Sequence, residues 1–122
     1  MAGEKILVVD DDQTILDIVG VILTEKGYRI IQAMDGEEGI AMAESNMPAI
    51  VILDRKMPGL DGNDVIKALK GNPETNAIPI IMMTGVNTIT DVMESISLGA
   101  RDYIVKPFEP SDFVMRVEKN LL

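Results

Sequence analysis

The sequence predicts an α/β fold: a doubly wound, five-stranded parallel sheet with helices on both faces, a three-layer sandwich with strand order 2-1-3-4-5. Five short apolar runs alternate strictly with segments of helical periodicity along the 122 residues. Strands joined by helical crossovers run parallel, and right-handed crossovers distribute the helices over both faces of one sheet. The runs of the first, third and fourth strands are continuously apolar, as central strands buried on two faces must be. Arg29, Gln32 and the short fifth run suit edges.

Residues 6–9 (ILVV) form the first strand. In the helical segment that follows, Ile15, Ile18, Val19, Ile22 and Leu23 recur at three-to-four spacing, with Asp12 as N-cap and Gly27 as a C-terminal stop. Residues 28–33 (YRIIQA) are the second strand, and Ile40, Ala43 and Met47 carry the second helix. Residues 49–53 (AIVIL) are the third strand, after which Val65, Ile66 and Leu69 carry the third helix. Residues 78–83 (IPIIMM) precede a fourth helix with Ile89, Val92, Met93 and Ile96, ending at Gly99. Residues 103–105 (YIV) are the last strand, and Phe113, Val114, Val117 and Leu121 mark a fifth helix whose first turn accommodates Pro110. With no repeat or low-complexity segment, residues 1–122 are expected to form one domain with no output domain after the fifth helix.

Hydrophobic content of 47% with 25% charged residues is globular composition, and no apolar run approaches the roughly 20 residues that span a bilayer. The N-terminal MAGEKILVVDDD lacks the basic-then-apolar pattern of a signal peptide, so a soluble, cytoplasmic protein with no membrane contact is expected. Zero Cys excludes disulfides and thiolate metal sites, and zero His excludes imidazole as base, ligand or phosphodonor. A net charge of −9 argues against direct nucleic-acid binding, which depends on Lys and Arg releasing counterions from phosphate.

In a sheet of this order ligands bind outside the carboxyl ends of the strands, near the switch point between strands one and three. Asp10 and Asp11 stand at the end of strand one, Asp54 at the end of strand three, Thr84 and Gly85 after strand four, and Lys106 before Pro107 after strand five. Two carboxylates about 5 Å apart repel by about 3 kcal/mol at an effective dielectric of 20, so three raise each other's pKa or recruit a cation. Oxygen-only ligation with room for water and phosphate describes magnesium better than zinc. Asp12 is better placed as a helix cap than as a ligand, and Asp61 before Gly62 as a turn or cap residue.

VVDDD, LDRKMPGLDG, MMTG and GARDYIVKPF, each at the end of a successive strand, together resemble the receiver domain of two-component response regulators, chemotaxis regulators among them. The resemblance runs through essentially the whole chain and implies the flavodoxin-like (βα)5 sandwich. It also implies that Asp54 accepts a phosphoryl group from the phosphohistidine of a histidine kinase or phosphotransfer protein, with Mg2+ required. Asp11, Asp54 and the backbone carbonyl of Lys56 would touch the metal, and Asp10 through water. Lys106, Thr84 Oγ and the backbone N–H groups of Arg55 and Gly85 would hold the phosphoryl oxygens. Thr84 and Tyr103 would act as a switch on the surface of the fourth helix, fifth strand and fifth helix, meeting a downstream protein or a second copy. A cis bond at Lys106-Pro107 is implied as well. Such a chain is not an enzyme in the usual sense, since it catalyses only its own phosphorylation and dephosphorylation.

Three other functions are weighed against this one. A phosphohydrolase with an aspartyl-phosphate intermediate needs a general acid two residues past the nucleophile, where Lys56 stands. A flavin mononucleotide binder needs a first loop rich in Ser, Thr and Gly, and Asp10, Asp11 and Asp12 would repel its phosphate. A degenerate receiver serving only as an interaction module would not need the complete constellation. Lys56 and Val86, two positions beyond Asp54 and Thr84, are expected to slow hydrolysis, because neither presents an amide or carboxylate to orient water.

Overall fold

The structure, a computed structural model, describes residues 3–85 and 88–121. In chain order the elements are β1 (Lys5–Val9), α1 (Gln13–Glu25), β2 (Arg29–Ala33), α2 (Gly36–Asn46), β3 (Ile50–Asp54), α3 (Gly62–Lys70), β4 (Ile80–Thr84), α4 (Ile89–Leu98), β5 (Asp102–Val105) and α5 (Pro110–Leu121). The strands are parallel in the order β2-β1-β3-β4-β5, as the alternation of apolar runs and crossover helices requires. Period-two alternation divides the sheet between two cores. Ile6, Val8, Ile52 and Met83 face α1 and α5, where they meet Leu16, Val19, Phe113 and Val117. Leu7, Val9, Leu53 and Met82 face the other way, toward Ala43, Val65, Ile66 and Leu69 of α2 and α3.

The pairing register sets the functional edge. Val9 pairs with Leu53, Asp54 with Met83, and Thr84 with Val105, so Asp10, Asp54, Thr84 and Lys106 emerge side by side where the strands end. Local signals hold the turns behind them. Asp12 caps α1 by accepting the Thr14 N–H at 2.9 Å, and Asp61 forms a reciprocal capping box with Asp64 at the start of α3. Gly27 and Gly99 adopt positive φ (92° and 128°) beyond the ends of α1 and α4, Pro110 opens α5, and the Lys106-Pro107 bond is cis.

Three expectations are corrected. Met47 is not on the face of a helix: α2 stops at Asn46, and Met47 is a half-exposed left-handed cap with φ 47°, where Pro48 disfavours continuing the helix. Ile18 points to solvent, and Leu16 takes its place in the core with Val19 and Leu23. Of the four apolar residues that carry α4, three are exposed, Ile89 to 78%, Met93 to 65% and Ile96 to 44%, and Val92 is half-buried. Among the described residues, Ser95 is the one fully buried residue of that helix.

Gly62, the first residue of α3, lies against the end of β3: a Cβ there would stand 2.5 Å from the Asp54 carbonyl oxygen and 3.0 Å from Arg55 Cα. Backbone atoms cannot yield as a side-chain tip can. Gly62→Ala is therefore expected to destabilise the fold by about 1–3 kcal/mol, seen as a lower urea midpoint at unchanged slope. An unchanged midpoint would mean that this close approach is not a packing constraint.

Candidate functional site

Asp10 follows β1 directly and is completely buried. Its Oδ1 accepts the Asp12 N–H at 2.9 Å, and its Oδ2 accepts from Lys106 Nζ at 3.1 Å. Asp54, the last residue of β3, is nearly buried, and its Oδ1 lies 3.4 Å from the same Nζ. Asp11 is exposed at the mouth of the site. Asp10, Asp11 and Asp54 each present one carboxylate oxygen within 4.8 Å of the others. Asp12 stays outside this trio as the α1 cap.

Burial drives the Asp54 carboxyl up to about 6; Asp10 adds to the rise, and Lys106 opposes it. Burial alone would lower the Lys106 pKa, but Asp54 and Asp10 outweigh it and raise it. Three carboxylates against one ammonium leave an excess of negative charge in a partly desolvated pocket. An all-oxygen donor set of this charge suits a hard divalent cation such as magnesium.

Thr84 is buried at the end of β4, and its carbonyl accepts the Lys106 N–H at 2.8 Å, which ties the ends of β4 and β5 together. Among the described residues, a Cβ at Gly85 would meet only the Lys106 carbonyl oxygen, at 3.9 Å. Tyr103 is half-buried on β5; burial raises its pKa, Asp91 adds to the rise and Arg55 opposes it. Lys56 is exposed, and Val86 lies outside the described residues.

The side chain of Arg55 is the feature that sequence reasoning missed, having counted that residue only for its backbone N–H. Its guanidinium is buried and pairs with Asp61 at 2.9 Å, Glu94 at 3.2 Å and Asp91 at 3.6 Å. Burial alone would raise the Asp61 pKa, but the Asp64 N–H and Arg55 hold it below the usual carboxylate range. The available signal was an Arg at the end of a buried strand, a position that demands carboxylate partners.

The family model for the response regulator receiver domain matches residues 6–118. The alkaline phosphatase synthesis transcriptional regulatory protein PhoP of Bacillus subtilis is 39% identical over 116 residues, which is 95% of this chain and 48% of that protein. The chain spans about half the length of the curated relatives it matches. Among solved structures, the Vibrio cholerae chemotaxis protein CheY4 superposes with a TM-score of 0.92 at 30% identity, covering 97% of this chain and 98% of that one. The receiver domain of a Pseudomonas aeruginosa sensor histidine kinase, with a magnesium ion coordinated in its active site cleft, gives 0.91 at 25% identity over 98% of both chains.

The raised pKa of Asp54 makes a stability prediction. The folded value lies above that of the unfolded chain, so the penalty on the fold grows from about pH 4, where the unfolded chain ionises, levels off above pH 6, and vanishes as pH falls back below about 4. In buffer containing a chelator, Asp54→Asn is expected to stabilise the fold at pH 7.5 by about 1–2 kcal/mol, allowing for the contact that Lys106 loses. The gain should be absent at pH 4. Equal denaturation midpoints for the two proteins at both pH values would contradict the assigned burial.

Proposed function

The chain belongs to the response regulator receiver domain family, and from that premise we propose that it accepts a phosphoryl group on Asp54 from the phosphohistidine of a histidine kinase or phosphotransfer protein. The observation that carries this reading is the nearly buried carboxylate of Asp54 at the centre of the sheet's carboxyl edge, with Asp10, Asp11 and Lys106 gathered around it. An Asp54 carboxylate oxygen attacks phosphorus, the P–N bond to the donor imidazole breaks, and a mixed anhydride forms while the imidazole regains a proton from solvent. Such transfer needs alignment and charge neutralisation more than covalent help. Lys106 Nζ pairs with one phosphoryl oxygen, and Thr84 Oγ with the backbone N–H groups of Arg55 and Gly85 receives the others.

Asp10, Asp11, Asp54 and the backbone carbonyl of Lys56 are the residues that would hold Mg2+, which supplies positive charge against the phosphoryl oxygens. The acidic donor set supports this, as does the magnesium in the Pseudomonas aeruginosa neighbour. Output is read through Thr84 and Tyr103 to the surface of α4, β5 and α5, which meets a downstream protein or a second copy. Residues 1–122 act as one receiver domain in the cytoplasm; no helix among the described residues is long and apolar enough to cross a membrane. PhoP is named a transcriptional regulatory protein, but the acidic balance of this chain leaves direct contact with nucleic acid to other domains or partners. Chemistry is confined to the chain's own phosphorylation and dephosphorylation.

Acetyl phosphate with magnesium should add one phosphoryl mass to the wild type and none to Asp54→Asn, whereas labelling of the variant at the wild-type rate would overturn the assignment. Asp11→Ala should suppress labelling at millimolar metal, and an unchanged metal titration would remove Asp11 from the site. Lifetime is a separate matter. Lys56→Asn combined with Val86→Glu should hasten loss of the phosphoryl group by roughly tenfold, the worth of one water-orienting contact in the barrier. A double variant that decays no faster would show that these positions do not govern hydrolysis.

A further inference from the structure

We infer that Arg55 is a positioning residue that clamps α4 to the loop after Asp54 and sets which face of that helix meets solvent. α4 exposes most of its apolar residues. Ile89, Met93 and Ile96 are exposed and Val92 is half-buried, while the buried Ser95, the half-buried Asp91 and the carboxylate of the exposed Glu94 contact the body of the protein. The usual amphipathic helix does the reverse. Leu98 in the last turn packs against the second core, so one end of the helix has an apolar anchor. Over the turns before it, Val92 is half-buried, and Asp91, Glu94 and Ser95 make polar contacts.

Those contacts form a connected set. Arg55 extends one terminal nitrogen to Asp61, the α3 cap, and the other to Asp91 and Glu94 of α4. Glu94 Oε1 also accepts from Asn63 Nδ2 at 2.7 Å, and Asn63 Oδ1 accepts from Ser95 Oγ at 2.9 Å. Asn63 and Ser95 are both buried, so each would lose a necessary partner if α4 rotated. A guanidinium fork matches this geometry because it offers diverging donors on one rigid plane, and Lys cannot reproduce that. Arg55 is joined to Asp54 by a single peptide bond, and its carbonyl accepts the Gly62 N–H at 3.0 Å. Any displacement of the Asp54 backbone therefore reaches α4 through two covalently adjacent residues and one ion cluster. That coupling rests on the function proposed for Asp54; the clamp itself does not.

The test is amide hydrogen exchange on the full chain, comparing residues 89–98 with α1 and α2. Without metal or phosphoryl donor, Glu94→Gln and Arg55→Gln should each speed α4 exchange by about tenfold, as loss of a charge-assisted hydrogen bond implies, and leave α1 and α2 at wild-type rates. Arg55→Lys should fall between wild type and Arg55→Gln. The Glu94 side chain is partly exposed, so Glu94→Gln keeps the test decisive if Arg55→Gln fails to fold. Unchanged α4 rates in Glu94→Gln, or equal acceleration in every helix, would overturn the clamp. Beryllofluoride with magnesium then tests the coupling: α4 should respond in the wild type, whereas in Glu94→Gln only the residues around Asp54 should respond. An α4 response of wild-type size in Glu94→Gln would overturn the coupling. If the wild-type pocket itself did not respond, the phosphoacceptor reading would fail, and the metal-free rates would still decide the clamp.

Discussion

Lys106 Nζ lies 3.1 Å from Asp10 and 3.4 Å from Asp54, bridging two carboxylates that end neighbouring strands in the middle of the sheet. Most of the architecture is needed to keep that contact. β1 and β3 must pair in register for the two acids to emerge together, and β5 must lie two strands from β3 for the Lys side chain to reach back across β4. Removing the ammonium would leave two acids repelling one another inside a partly desolvated edge, at a cost of several kcal/mol. The site is thus held by opposition of charge across strands that the hydrophobic cores on either face keep aligned.

Each helix begins at the same edge, because each follows the strand that ends there. The N-termini of α1, α2 and α3, capped by Asp12, Asp35 and Asp61, therefore lie at the same sheet edge as the acidic pocket. The capping and the clustered acids are all Asp but are placed differently. Asp12 and Asp61 accept backbone N–H groups at their own helix ends, whereas Asp10, Asp11 and Asp54 aim carboxylate oxygens at a common centre. Uneven burial divides the central trio further, since Asp10 is sealed in the interior and Asp11 stays at the surface.

Much of this was legible in the sequence, because it depends on residues near one another along the chain. Continuous apolar runs identified β1, β3 and β4 as central, and Asp10, Asp54 and Thr84 at their ends followed from where each run stopped. Helical periodicity also placed Ile89, Val92, Met93 and Ile96 on α4, but it is silent on what they meet, and three of the four are exposed. The inward side of α4 is chosen by Arg55 and Asn63, which are remote in sequence, so no local pattern reports it. The same limit hid the guanidinium cluster, whose partners lie six, 36 and 39 residues away.

The sheet ends on two strands that are poor templates for a further one. β5 is four residues long, and β2 carries the exposed Arg29 and Gln32, with the Gln32 amide donating to the Leu16 carbonyl at 3.2 Å. A long, flat, apolar border would invite another chain to add its backbone and begin a fibril, whereas a short or charged border gives such a newcomer little to pair with. The brevity of β5 and the polar character of β2 thus protect the protein from self-assembly through its backbone at high concentration, leaving association to side-chain surfaces, where it can be selective and reversible.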